Sequence, residues 1–317
     1  MTNELHVIFG TGPVGCWTAR ALRQMGIRVR AVNRSGRRPD LMPNVEIVSA
    51  DLSDATSARE AARGATVLYQ ALNPPYHRWQ QLFPGLQTAA LAAAQAENAR
   101  YVSIENLYMY DSSKPISESS SVAPRSKKGA LRQRMAEQVL ALHERGELRA
   151  TALRSADYYG PGVTGSALGE LVFGRLVAGK KPQVLGSAER PHSVGYIEDV
   201  GQAAAVLGTS DVVLGRVWIA PHAPARSQGE MVQMAGQVLG SEVVHPRVVS
   251  PLLVRLAGLL IPEVRAAAEM IYQFTGPFVV DSSRMKRELG LSPTPLASGI
   301  ERTVSWYRER EQAKNLK

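Results

Sequence analysis

The sequence predicts an α/β fold, a doubly wound parallel sheet with a smaller C-terminal substrate lobe. Three observations carry this. Strand and helix patterns alternate through the first half, a glycine-rich turn separates the first strand from the first helix, and the rhythm becomes irregular after Gly160-Pro161-Gly162. In order, Leu5–Phe9 reads as a strand, and Val14, Trp17, Ala21, Leu22 and Met25 follow at helical spacing. Arg28–Asn33 is the second strand, and Val45–Val48 the third. A helix near Ala55–Arg63 and a strand over Ala65–Ala71 come next. Long helices are expected over about Trp79–Asn98 and Lys127–Arg145, each followed by a strand, Arg100–Ile104 and Arg149–Arg154. Beyond them lie the apolar segments Leu168–Val177 and Pro251–Phe274 and a late strand, Val217-Trp218-Ile219. The expected division is residues 1–160, with return segments near 192–220, and a second lobe over 161–317.

The turn Gly10-Thr11-Gly12-Pro13-Val14-Gly15 is the most informative segment. In a strand–turn–helix context Gly10 permits the tight turn, Gly12 lets backbone approach a pyrophosphate, and Gly15 lets helix and strand pack closely. Pro13 suits the first helical turn, whose N-terminus favours a bound phosphate. This is a Rossmann-type dinucleotide site. An acid commonly ends the second strand of an NAD site, where it binds the ribose 2′-hydroxyl. Here Asn33 stands there, followed by Arg34, Ser35, Arg37 and Arg38. Guanidinium groups grip a 2′-phosphate through charge-assisted bonds, so NADP(H) is expected over NAD(H). A solvated basic loop is the plainer alternative.

Composition narrows the rest. With 37 Lys and Arg against 28 Asp and Glu the net charge is +9, but the basic residues lie in separate clusters, and no nucleic-acid partner is expected. A lone cysteine, Cys16, excludes an intrachain disulfide and reads as a small packing residue. The first strand begins at residue 5, which reads against a cleaved leader, and a cytoplasmic location is expected. Val248–Ile261 is too short and too interrupted to span a bilayer; it reads as a core or lid helix, and no membrane partner is expected. The histidines lack metal-site spacing, and no metal is expected.

The chain resembles the extended or atypical branch of the short-chain dehydrogenase/reductase superfamily, often called the NAD-dependent epimerase/dehydratase family. The residues that carry the resemblance are the glycine turn, Ala50-Asp51-Leu52, and the run from Arg154 to Tyr159-Gly160-Pro161-Gly162. His192–Val200 and the ending from Val280-Asp281-Ser282 to Trp306-Tyr307 complete it. The resemblance implies cofactor contacts at Asp51 and Leu52 (adenine), at Ala71, Leu72 and Asn73 (ribose and nicotinamide), and near Tyr158. It also implies a small-molecule substrate and a homodimer built on the two long helices, whose Ala89, Ala90, Ala93 and Ala94 permit close approach or simply pack on the sheet.

The sequence departs from the family at its catalytic Tyr-x-x-x-Lys. Aligning Glu137 with the family's helix glutamate puts Gly129 at the tyrosine position and Gln133 at the lysine position. The nearest replacement donor is Tyr108, which matches the tyrosine of the family's segment after the fifth strand, with Lys128 as the accompanying positive charge. Tyr158 or Tyr159 is a further candidate. Each also has an ordinary role open to it, in packing or as a solvated helix start. The function expected is NADP-dependent reduction of a carbonyl or activated double bond. Alternatives are a nucleotide-sugar epimerase or dehydratase, and a cofactor-binding sensor without catalysis.

Overall fold

In the computed structural model, which describes residues 4–241 and 243–315, the chain divides into two compact units. The first takes the chain up to Met109 together with Lys127–Arg154 and Glu198–Ala220. The second comprises Tyr110–Ser126, Ser155–Ile197 and the chain from Pro221 onward. The Ser- and Pro-rich segment 110–126 groups with the later chain because Ile116 bridges to Val280 and donates its N–H to Val279.

Seven strands form the sheet of the first unit: β1 (Leu5–Phe9), β2 (Arg28–Asn33), β3 (Glu46–Ser49), β4 (Val67–Gln70), β5 (Arg100–Asn106), β6 (Ala150–Ser155) and β7 (Val217–Ile219). Their spatial order is β7-β6-β5-β4-β1-β2-β3. The late strand 217–219 is thus the sheet's far edge, paired in parallel with β6 from Val217 opposite Ala152 to Ile219 opposite Arg154. β1 pairs in parallel with β2 on one side and β4 on the other, so the order reverses there. Such a switch point opens a crevice at the C-terminal strand ends, where ligands bind in open α/β sheets.

Four helices connect β1 to β6: α1 (Pro13–Gln24), α2 (Ala55–Ala62), α3 (Trp79–Ala96) and α4 (Lys127–Glu144), and the helix Ile197–Thr209 precedes β7. Pro13 occupies the first position of α1, and Asp54 caps α2 by accepting from the Ser57 N–H at 2.7 Å. α3 buries Ala89, Ala90, Ala93 and Ala94 in one apolar cluster with Val7, Leu68 and Tyr101. Of the two readings open for that alanine face, packing inside the unit is the one seen, since β-carbons alone let α3 lie close on the sheet.

One ion pair crosses the interior. Arg154 Nε donates to Glu105 Oε2 at 2.8 Å with only 5 % and 1 % of the two side chains exposed, and Ser103 Oγ donates to the second carboxylate oxygen at 2.9 Å. It joins the end of β6 to the end of β5, and it extends β5 to Asn106, two residues beyond the expected boundary.

The second unit has its own core, with Tyr159, Phe173, Val184, Tyr196, Met231, Ile300 and Tyr307 in one cluster. Ser227 begins the helix Gln228–Val238 with a capping box shared with Glu230. The apolar segment 251–274 is two short helices, Pro251–Leu260 and Pro262–Ala268, followed by a turn of 3-10 helix. Its leucines are largely exposed, so it is not a core helix. No helix among the described residues is long and apolar enough to cross a membrane.

Two predictions follow from this packing. Glu105→Gln replaces the buried carboxylate facing Arg154 by a neutral amide and should cost up to about 3–5 kcal/mol in urea denaturation, because it breaks a buried ion pair. His6 and His192 are both pushed by burial from 6.5 to about 4. Each stays neutral when folded but gains a proton when unfolded, so stability falls as pH drops through the interval from about 6.5 to 4, by up to roughly 3 kcal/mol per histidine. His192 stacks between Phe274 and Phe278, at 4.7 and 5.3 Å between ring centres, so His192→Phe should keep the stack and flatten part of that dependence. Denaturation midpoints at about pH 7.5 and pH 5 check it.

Candidate active site

The glycine turn lies at the switch point. Gly10 adopts φ +104°, a conformation that side chains rarely take, and a β-carbon there would lie 2.6 Å from the Ala71 carbonyl oxygen. A β-carbon on Gly15 would collide with the carbonyl of Gly10. Gly12 differs from both: it has ordinary extended backbone, and a β-carbon on it would meet nothing within 4 Å. Open space beside an uncapped helix start that has no acid in its first turn suits a phosphate. The residues present therefore fit a dinucleotide: Gly12, Pro13 and Val14 at the pyrophosphate, with the ends of β2 and β4 on either side.

Asn33 does more than leave an acid out. Its Nδ2 donates to Thr11 Oγ1 at 3.0 Å and to the Arg37 carbonyl at 2.9 Å, while its Oδ1 accepts from Ser35 Oγ at 3.1 Å. One amide thus ties the glycine turn to the loop that follows β2. An aspartate could not donate to the Arg37 carbonyl. The loop presents Arg34, Arg37 and Arg38 to solvent, and Arg34 is 78 % exposed with Asp51 3.9 Å away, an exposed pair of little energy. Asp51 itself is exposed and turned onto Ser53, whose hydroxyl and N–H hold its carboxyl below the usual range. Leu52 is buried. Ala71 donates its N–H to the Phe9 carbonyl at 2.9 Å, with Leu72 half-buried and Asn73 exposed beyond it.

The structure gathers Tyr108, Tyr76, Trp79 and Lys128. The two tyrosine hydroxyls share a short hydrogen bond, and Trp79 packs against both rings. Lys128, buried at the start of α4, holds its ammonium 5.5 Å from the centre of the Tyr76 ring. Tyr76 is the member of this group that sequence reading missed. The signal for it was its place just after β4, in the Asn73-Pro74-Pro75 turn at the ligand-facing end of the sheet. On α4, Gly129 is buried and Gln133 donates to Glu137 Oε1 at 2.8 Å, so these positions hold neither phenol nor ammonium.

Tyr158 and Tyr159 belong to the second unit. Tyr159 is 2 % exposed, its ring 5.3 Å from that of Tyr196 and its hydroxyl against Gly299, which makes it a core residue. Tyr158 is half-buried. Beside it, desolvation raises the Asp157 carboxyl to about 6, a value suited to proton transfer near neutrality.

A parallel sheet with a glycine turn and an open helix N-terminus at its switch point is the architecture of a dinucleotide-binding α/β protein. The chain belongs to the NAD dependent epimerase/dehydratase family, whose model matches residues 7–218, and it is an NAD(P)-dependent enzyme of the short-chain dehydrogenase/reductase type. No curated protein matches it. Among solved structures, a dTDP-glucose 4,6-dehydratase from Bacillus anthracis in complex with NAD is similar, at TM-score 0.79 and 15 % identity over 99 % of this chain and 100 % of that one. A nucleoside-diphosphate-sugar epimerase from Pseudomonas aeruginosa aligns at TM-score 0.77 and 17 % identity, over 98 % and 99 %. A UDP-glucuronic acid 4-epimerase from Bacillus cereus in complex with NAD aligns at 0.77 and 16 %, over 96 % and 97 %. At these identities the likeness is one of fold.

The glycines give a discriminating prediction. Gly12→Ala should fold with stability within about 0.5 kcal/mol of wild type yet bind NADP(H) at least about tenfold more weakly. Gly15→Ala should lose at least about 3 kcal/mol, because backbone must move to admit it. Thermal melts and cofactor titrations of the pair check both.

Proposed function

We propose that the protein is an NADP-dependent oxidoreductase that reduces a carbonyl or an activated double bond of a small organic molecule. The observation that carries this reading is the loop 33–38, where an asparagine stands in place of an acid, its amide bonded to the Arg37 carbonyl, and Arg34, Arg37 and Arg38 are exposed. When bound, the nicotinamide supplies the hydride. The chain's own part is to bind phosphate at the α1 N-terminus and the 2′-phosphate at Arg34 and Arg37 or Arg38, and to deliver a proton. Tyr108 is the proposed donor. Its hydroxyl is bonded to that of Tyr76, so a proton given to the substrate oxygen can be replaced from Tyr76, which is partly open to solvent. Lys128 supplies positive charge beside the pair.

A nucleotide-sugar epimerase or dehydratase is the second reading, favoured by the epimerase and dehydratase activities of the similar structures. The two separate cleanly: a reductase consumes NADPH in proportion to product, whereas an epimerase turns over UDP-sugars with no net consumption. Homodimerisation remains a proposal, now through the outer groove between α3 and α4 lined by Gln80, Pro84, Leu131, Arg134, Met135 and Gln138. Cytoplasmic residence is likewise proposed.

NADP(H) should bind more tightly than NAD(H). Arg34→Ala should weaken NADP(H) alone by roughly 1.5–3 kcal/mol, and Asn33→Asp should reverse the preference; titration of both cofactors decides it, and equal wild-type affinities would remove the argument. Across a panel of aldehydes, ketones and enones, Tyr108→Phe should slow turnover about 10²–10⁴-fold while cofactor affinity stays within about threefold. Near-wild-type rates in that variant would eliminate Tyr108.

A further inference from the structure

The helix Pro251–Leu260 turns its leucines outward. Leu252, Leu256 and Leu259 recur at helical spacing with Leu253 and Leu260 beside them, and exposure reaches 71 % at Leu259 and 87 % at Leu260. Only Val254 and Gly258 are buried, Val254 against Ile271 and Phe274. This orientation is held at both ends. Ser250 caps the helix by accepting from the Leu253 N–H at 3.3 Å, and Pro251 takes the first position. Toward the other end a β-carbon on Gly258 would lie 2.9 Å from the Arg265 α-carbon, and Arg265 Nε donates to the Gly258 carbonyl at 2.9 Å. Rolling the leucines inward would drive side chains into the following helix.

The charge along this segment is mostly positive, with Glu242 and Glu263 bounding it in the sequence. Residues 243–262 contain no Asp or Glu, but they do contain His245, Arg247 and Arg255. The strand that leads into the helix pairs Arg247 with Gln183, and the Arg247 N–H donates to the Pro182 carbonyl at 2.8 Å, which brings the exposed Lys180 and Lys181 alongside. Arg255 and Arg265 are also exposed; the nearest acid in the chain, Glu263, starts the second helix. An aliphatic stripe flanked by cations complements acyl chains and anionic headgroups. It lacks the Trp and Tyr that dominate protein–protein hot spots, where Leu is under-represented. Ten residues span about 15 Å, half of a hydrocarbon core, so such a helix lies in the interface and does not cross.

We propose that this helix docks the protein on an anionic membrane surface, with Leu252, Leu256, Leu259 and Leu260 among the acyl chains and Arg247, Arg255, Lys180 and Lys181 at the phosphates. This departs from the sequence-based expectation of no membrane partner, and it is independent of the reaction proposed above. Sedimentation of the full chain with vesicles of equimolar phosphatidylcholine and phosphatidylglycerol, against phosphatidylcholine alone, tests it. Binding to the mixed vesicles is expected to be at least about tenfold tighter than to the neutral ones and to weaken in high salt. Leu256→Glu combined with Leu259→Glu should reduce it at least about tenfold, with the melting temperature and NADP(H) affinity retained because both side chains are exposed. Arg247→Glu with Arg255→Glu should reduce binding to the anionic vesicles. No binding to either vesicle, or equal binding to both, would overturn the proposal. A dimer dissociated by Leu256→Glu, without vesicle binding, would also overturn it by assigning the stripe to a second copy of the chain.

Discussion

The close approach of α1 to its own entry turn is the constraint on which the first unit depends. Gly15 lies against the carbonyl of Gly10, and Gly10 in turn lies against the carbonyl of Ala71 at the end of β4. Three segments meet with no side chain between them. This lets α1 begin directly above the point where the strand order reverses, and it leaves Gly12 facing open space. The same meeting point is reached from β2 through Asn33 and Thr11. Cofactor geometry and packing of the sheet are therefore one problem, solved by two glycines for contact and a third for access.

A second level of organisation holds the strand ends nearer the proposed chemistry. Glu105 and Arg154 bind each other in the interior, while two residues further along the chain from Asn106 the backbone delivers Tyr108 to its partner Tyr76. The buried pair costs desolvation, so it is weak evidence of stability; its value is in fixing where β5 stops. A family member that has neither phenol nor ammonium at the helix positions 129 and 133 needs another route for a proton. Two phenols from neighbouring strand ends, with an aromatic wall at Trp79, are a rigid way to hold one.

Much of this was legible in the sequence because its causes are local. Short apolar runs mark the buried strands and period-3.6 patterns the helices of the first unit, and the glycine turn advertises its own geometry. The strand Val217–Ile219 was visible as a strand, but its place beside β6 was not, since pairing across some sixty residues leaves no periodic trace. Tyr76 escaped for the same reason: its partner Tyr108 is distant in sequence and meets it only across the sheet end. The alanines of α3 and the leucines of Pro251–Leu260 each allowed two readings, and the tertiary arrangement takes them in opposite directions. Small residues that permit an interface were consumed in the core, whereas large apolar residues that promise a core stand in solvent. Composition states what a face can bury, and only the tertiary arrangement states whether anything lies opposite.

Cys16 sits in the first turns of α1, buried, its Sγ donating to the Thr11 carbonyl at 3.3 Å and its thiol pushed up to about 12 by burial. A thiol so protonated is a poor nucleophile, and no second sulfur exists in the chain's cysteine complement to pair with it. Thiol-directed reagents therefore find no accessible sulfur while α1 is docked. Thiol reactivity is thus a property of the opened forms, and the one thiol is a silent gauge of how often the glycine turn comes undone.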